Sequence, residues 1–263
     1  MARDQEQASK QTALMIYPER PRLIVLEGID LSGRTTQVQL LLDWLVAQHY
    51  HVTTTAWRTS PLISDLLARA RTATPLRPLS YSMLYAADHI DRTQHIIRPA
   101  LERGGIVLAD RYLYTALARD TARGLDPAWV QNLYRNSVQP DAVFYLHIGP
   151  EEAVKRRLSL QQQRLGELHV GKHKSAKIDK DGKNGKEHKQ RKQEKEAKVA
   201  TSVQSPALTG EALESFRNFE VKMYSAYQQM QKAYAFTVIE GNQPIDQVQA
   251  TLRRAIMRLL LEI

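Results

Sequence analysis

The stretch that most constrains this chain is Arg22 to Gln37, which reads RLIVLEGIDLSGRTTQ. It opens on Leu23-Ile24-Val25-Leu26, an apolar, β-rich run of the kind a parallel strand shows when helices cover both its faces. Gly28-Ile29-Asp30-Leu31-Ser32-Gly33-Arg34-Thr35-Thr36 follows, and then Val38, Leu41, Leu42, Leu45 and Val46 recur at helical spacing. Strand, glycine-bounded loop and helix form the setting of a phosphate-binding P-loop. Such a loop turns backbone N–H groups inward and the helix N-terminus adds positive potential, so anionic oxygens are held there. Gly28 and Gly33 supply conformations that a side chain would obstruct. Thr35 stands where a hydroxyl ligand for Mg²⁺ is expected. One letter departs from the pattern GxxxxGK followed by Ser or Thr: Arg34 replaces Lys, a broad planar fork in place of a compact point charge. A tight strand-to-helix turn without a ligand is the plainer reading, and the glycine spacing argues against it.

A chain of 263 residues accommodates one large α/β domain or two small ones. It has no cysteine, which excludes disulfides and thiolate metal sites. No apolar run approaches membrane-spanning length, and the opening MARDQEQASKQT lacks a signal-peptide apolar core, so a cytoplasmic location is expected. The formal net charge of +9 suits polyanionic partners.

Along the chain, residues 1–20 read as a loose extension and 21–158 as the first part of an α/β core. Residues 159–205 read as a Lys-rich, low-complexity insertion, and 206–263 as the rest of the core. Strands are expected at 51–57, 106–109, 142–148 and 236–239. Helices are expected at 62–71, 80–103, 114–122, 129–137, from Pro150, at 208–235 and at 245–261. Alternation of strands and helices predicts a three-layer α/β/α fold with a five-stranded parallel sheet. Right-handed crossovers bring Glu27, Arg58, Asp110 and the P-loop to one edge of that sheet. Arg58 ends the second strand, where ligands of open α/β sheets bind, and equally fits an ordinary surface arginine. Asp110, directly after a buried strand, is placed to serve Mg²⁺, and Arg111 beside it to clamp a phosphate; a helix-capping Asp with a surface Arg is the plainer alternative. The insertion has too little apolar surface to offset its ordering entropy. Its Lys-rich part, 171–198, reads either as a weak polyanion contact or as a solvated loop. The stripe Leu213, Phe216, Phe219, Met223, Tyr227 and Met230 reads as core packing.

Several of these segments together resemble the thymidylate kinase family, a branch of the P-loop nucleoside monophosphate kinases. Leu26-Glu27-Gly28-Ile29-Asp30 with Ser32-Gly33 is similar to the family's EGxDGSGK, and Asp110-Arg111-Tyr112 with Thr115 and Ala118 to DRYxxSxxAYQ. Arg58 falls at the Arg of its REP motif. Leu84 to Asp88 with Ile97 to Leu101 matches its long helix, and Tyr145-Leu146 through Pro150-Glu151 to Arg156 its YLDVxPExxxxR. The resemblance implies a P-loop NTPase-like fold and γ-phosphoryl transfer from ATP, with Mg²⁺, to a deoxynucleoside monophosphate, most simply dTMP. It implies that residues 28–36 hold the donor phosphates and that Asp30 approaches the acceptor's sugar or phosphate. Arg58 and Arg111 would hold the acceptor phosphate, and Thr35 and Asp110 would serve the metal. Arg156 would lie near the donor or lid, with Gly241 and Asn242 near the adenine. A homodimer is usual in the family. The chain departs from the pattern at Leu31, Arg34, Thr59-Ser60, His89, Arg119-Asp120 and His147, and in place of the Arg-rich lid stands the Lys-rich insertion. Two other readings stay open: a catalytically impaired nucleotide-binding descendant, and a nucleic-acid binder working through the insertion.

Overall fold

At the centre of the fold is β1 (Arg22–Glu27), all six of whose residues are buried. The computed structural model describes residues 16–72, 76–174 and 209–261, the side chains of 70–72 and 164–174 excepted. After β1 come α1 (Arg34–Ala47), β2 (Val52–Ala56), α2 (Ser64–Thr72), α3 (Pro78–Arg92), α4 (Arg98–Glu102), β3 (Ile106–Asp110), α5 (Leu113–Ala122) and α6 (Pro127–Leu133). The chain continues through β4 (Ala142–His147), α7 (Pro150–Lys174), α8 (Gly210–Ala233), β5 (Thr237–Glu240) and α9 (Ile245–Leu261).

The strands form one five-stranded sheet in the order β2-β3-β1-β4-β5, every neighbour parallel. This is the expected fold. Successive side chains of a strand face opposite ways. One face takes Ile24, Leu26, Ile106, Leu108, Phe144 and Leu146, which pack on Val38, Leu41 and Leu45 of α1 and on Val248, Leu252, Ile256 and Leu260 of α9. Tyr145 of β4 faces the other way and stacks on Tyr227 of α8 with ring centroids 5.1 Å apart. The register sets Leu26 and Ala56 both opposite Asp110, and Glu27 opposite Tyr145. The loops that follow β1, β2 and β3 therefore leave the sheet at one edge.

Some boundaries differ from expectation for physical reasons. The long helix expected over 80–103 is interrupted by a π-helical turn, Thr93–Ile97, before α4. Pro99 follows it, and a proline has no N–H to give back to the preceding turn, so the helix widens just ahead of it. The helix expected at 129 starts at Pro127, capped by Asp126, whose carboxylate accepts the Trp129 N–H at 2.7 Å. The extension expected to be loose over 1–20 is tied down at its end: Ile16 bridges Tyr50, and Tyr17 stacks on His51. Residues 1–15 lie outside the described residues. Helix α7 runs to Lys174, well past the expected start of the insertion at 159. Of the Lys-rich stretch, 175–208 lies outside the described residues, as do the side chains of 171–174.

Two compact units divide the chain. Met1–Ala153 and Phe219–Ile263 make the first, and Val154–Asn218 the second, within which the Arg157 guanidinium lies 4.6 Å from the Phe216 ring centroid. Among the described residues no helix is long and apolar enough to cross a membrane.

Candidate active site

The loop between β1 and α1 is wound so that only small or strained residues fit. Gly28 has φ 151°, and a Cβ there would meet Ser32 Oγ at 2.6 Å and the Leu146 carbonyl at 2.7 Å. Gly33, at φ 96°, caps α1. Leu31 also has positive φ, 64°, in a region that costs a branched side chain about 1 kcal/mol or more.

Arg34 does not extend outward as a P-loop cation aimed at a ligand would. It turns back into its own loop and is 7% exposed. Its Nη1 donates to the carbonyls of Gly28 (2.5 Å) and Ile29 (2.6 Å) and to Ser32 Oγ (3.0 Å), while Nε donates to Asp110 Oδ1 at 3.2 Å. The other Asp110 oxygen, Oδ2, accepts from Thr35 Oγ1 at 2.5 Å. Thr35 and Asp110, the two residues expected to serve a metal, thus meet. Thr36 is exposed beside them on the first turn of α1.

Asp110 ends β3, and Arg111 immediately after it has φ 72°. The Arg111 guanidinium donates to Asp30 Oδ1 and to Thr115 Oγ1. Burial works against its charge, yet Asp30, with Tyr227, Glu27 and Asp110 around it, holds its pKa above the ordinary guanidinium range. Asp30 and Arg111, both predicted to handle the acceptor, are therefore paired.

Beneath that pair lies Glu27, fully buried at the end of β1. It accepts the N–H groups of Tyr112 (2.8 Å) and Thr115 (3.1 Å) and the hydroxyls of Thr115 (2.6 Å) and Tyr227 (2.7 Å). Burial raises its pKa, and the hydroxyl and amide donors partly oppose that rise. The carboxylate ties the P-loop strand, the turn after β3 and α8 into one piece.

Arg58 is exposed at the same sheet edge, with φ 67°. Its backbone N–H donates to Asp88 Oδ2 and that of Ser60 to Asp88 Oδ1, each at 3.0 Å. Asp88 also takes the Arg92 Nε at 2.9 Å, and both are fully buried. Helix α3 thus fixes the turn that carries Arg58.

The segment predicted to lie near the donor base also abuts the P-loop. A Cβ on Gly241 would come within 3.4 Å of the Ser32 carbonyl and 2.8 Å of Ile148 Cγ2, and Asn242 beside it is exposed. Arg156 stands on α7 in the second compact unit.

Around Trp57, next to Arg58, the departures His89 and Arg119-Asp120 join an aromatic cluster. Arg119 is held by Asp120 at 2.6 and 2.9 Å, Ser82 bonds the same carboxylate at 2.5 Å, and the guanidinium lies 3.8 Å from the Tyr85 ring centroid. Trp57 packs against Tyr85, His89 and Tyr134. His89 bonds Ser137 Oγ at 2.8 Å, and burial, aided by Arg92, drives its pKa down to about 3, so the ring is neutral.

Sequence reasoning missed Glu220, which is 1% exposed and whose Oε2 accepts the Asp30 N–H at 3.0 Å. The signal was a lone acid within the apolar stripe that also carries Tyr227, seven residues on.

A strand–glycine loop–helix whose first helical hydroxyl meets an aspartate at the tip of a neighbouring parallel strand defines the class of P-loop nucleotide-binding proteins. Over residues 26–178 the chain matches the family model described as thymidylate kinase. It is 30% identical over 238 residues, 90% of this chain and 96% of the relative, to the "Probable thymidylate kinase 2" of Saccharolobus solfataricus. It is 38% identical to the "Thymidylate kinase" of a Synechococcus species over 55% of this chain and 75% of that one, and 37% identical to the "Probable thymidylate kinase" of Pyrococcus abyssi over 52% and 70%. The chain belongs to the thymidylate kinase family, whose members are nucleoside monophosphate kinases. That relationship does not favour the alternatives of an impaired descendant or a nucleic-acid binder.

Proposed function

We propose that this protein transfers the γ-phosphoryl group of ATP to dTMP. The observation that carries the reading is the meeting of Thr35 Oγ1 and Asp110 Oδ2 at the first turn of α1. Two hard oxygen donors at a phosphate loop fit Mg²⁺, which takes one or two protein oxygens and fills its other positions with phosphate and water. When bound, the ion would neutralise charge on the donor phosphates. Phosphoryl transfer asks the protein chiefly to position two anions and to neutralise their charge. The loop amides of 28–36 hold the donor, with Asn242 as a further donor-side residue. Arg58 and Arg111 hold the acceptor phosphate, and Asp30 orients Arg111.

Arg34 contributes differently from a P-loop lysine. Its guanidinium cross-links two loop carbonyls and shares Asp110 with Thr35, so it shapes the loop and lends it positive charge.

The test is release of ADP from ATP and Mg²⁺, stimulated by dTMP above other deoxynucleoside monophosphates. Thr35→Ala and Asp110→Asn should each lower kcat by about a hundredfold, the scale of losing one preorganised electrostatic contact. Absence of turnover with every acceptor overturns the reading. A cytoplasmic location suits such a role in nucleotide supply.

We also propose a homodimer built on α3. Leu79, Met83 and Ile90 are exposed there at helical spacing, and Leu66 of α2 is exposed as well. Met83→Glu should convert the dimer to a monomer in sedimentation.

A further inference from the structure

Loop amides at a phosphate site gather anions, and in this chain one of them already holds an anion of the protein's own. Glu220 lies on the inward side of α8 with Met223, Tyr227 and Met230, all buried. Its Oε2 accepts the backbone N–H of Asp30, 190 residues earlier in the chain. The charged groups facing it are Asp30 in the loop, Arg111 from the turn after β3, and Arg34 from α1. On its own helix, Tyr227 is committed to Glu27. Two carboxylates, Glu220 and Asp30, thus share the field of two guanidiniums, one of which Asp30 already engages directly.

Such a balance cannot survive the arrival of a phosphate at Arg111. A phosphate brings further negative charge beside a buried carboxylate, and like charges close together favour the protonated form of the weaker acid. We propose that Glu220 is a positioning residue for the acceptor phosphate, holding the Asp30 amide in place and taking up one proton from solvent as the nucleotide binds. The proton goes to Oε1, while Oε2 keeps the Asp30 N–H. No bond to carbon or phosphorus changes, and the charge added by the phosphate is partly cancelled. The inference rests on reading Asp30 and Arg111 as the acceptor-phosphate pair.

The exchange falls in the working range of pH. Burial first, and the Asp30 carboxylate next, push the Glu220 carboxyl up to about 7, while the Asp30 amide and the two arginines oppose this. The sign follows: below that value Glu220 is already protonated and the acceptor enters freely. Above it, binding must draw a proton from solution, and affinity falls as pH rises.

The test is calorimetric titration of the full chain with dTMP in two buffers of different ionisation heat, for the wild type and for Glu220→Gln. The amide can still accept the Asp30 N–H but cannot titrate. At about pH 7.5 the wild type should take up more protons than the variant, by up to about one per dTMP bound. Between about pH 6.5 and about pH 8.5 its Kd for dTMP should rise about tenfold more than that of the variant. The dTMP phosphate titrates in the same range, but equally for both proteins, so the difference isolates Glu220. Glu220→Ala removes the titrating group by another route and should give the same difference if the Gln variant does not fold. Equal proton uptake and parallel pH curves, with dTMP still bound, overturn this inference and leave the kinase reading standing. Failure of dTMP to bind the wild type overturns both.

Discussion

His89 illustrates how one residue sets a property of the whole protein. Its ring is buried between Trp57, Tyr112 and Tyr134 and bonds Ser137 through Nε2. With its pKa near 3 in the folded chain against 6.5 when unfolded, the unfolded state binds the proton first as pH falls. Its contribution is therefore fully present above about pH 6.5 and is lost toward pH 3. Between about pH 6.5 and pH 5 this costs the wild type about 2 kcal/mol. Urea unfolding of wild type and His89→Gln at several pH values should show the gap between them narrowing by that amount toward acid. Arg34 makes a second residue-scale case. Arg34→Lys keeps the charge, but a single ammonium cannot span the Gly28 and Ile29 carbonyls, Ser32 and Asp110 from the same position. The variant should lose about 1–3 kcal/mol of stability in denaturant unfolding. If kcat rises at the same time, the lysine has taken the phosphate contact that Arg34 forgoes.

At the scale of elements, the turns after β1, β2 and β3 each carry a residue of the candidate site in the left-handed region: Leu31, Arg58 and Arg111. Strain of this kind persists only where neighbours over-determine it. For Arg58 that neighbour is α3, through Asp88. Asp88→Ala would strip two backbone N–H groups of their acceptor and leave Arg92 buried without its partner, at a cost of about 3–5 kcal/mol. The folded fraction should show a raised KM for dTMP with a smaller change in KM for ATP. The strands and the glycine loop were legible in the sequence because apolar runs and glycine spacing are local signals. So was the edge at which Glu27, Arg58 and Asp110 gather, since parallel topology dictates it. The inward turn of Arg34 was not, because a rotamer leaves no trace in periodicity. Nor was the bond between Glu220 and the Asp30 amide, which joins segments 190 residues apart. The break in the long helix had a trace in Pro99, but whether a proline kinks, ends or widens a helix depends on what packs against the preceding turn.

At the scale of the molecule, β1 and α9 are bound to each other. The Arg22 guanidinium donates to the Leu259 carbonyl at 3.0 Å, and Val248, Leu252, Ile256 and Leu260 complete the core over β1. Each such side chain contributes about 1.5–3 kcal/mol, so the four together rival the whole stability of an ordinary domain. Ending the chain after Asn242 should therefore abolish the cooperative thermal transition and leave a product that protease digests rapidly. The same bond reaches into the protein's manufacture. The ribosome makes the glycine loop well before the helix that covers its strand, so a nascent chain holds that loop without its cover until α9 emerges. A message cut short before Ile245 should therefore yield a fragment that does not fold, rather than a half-working enzyme.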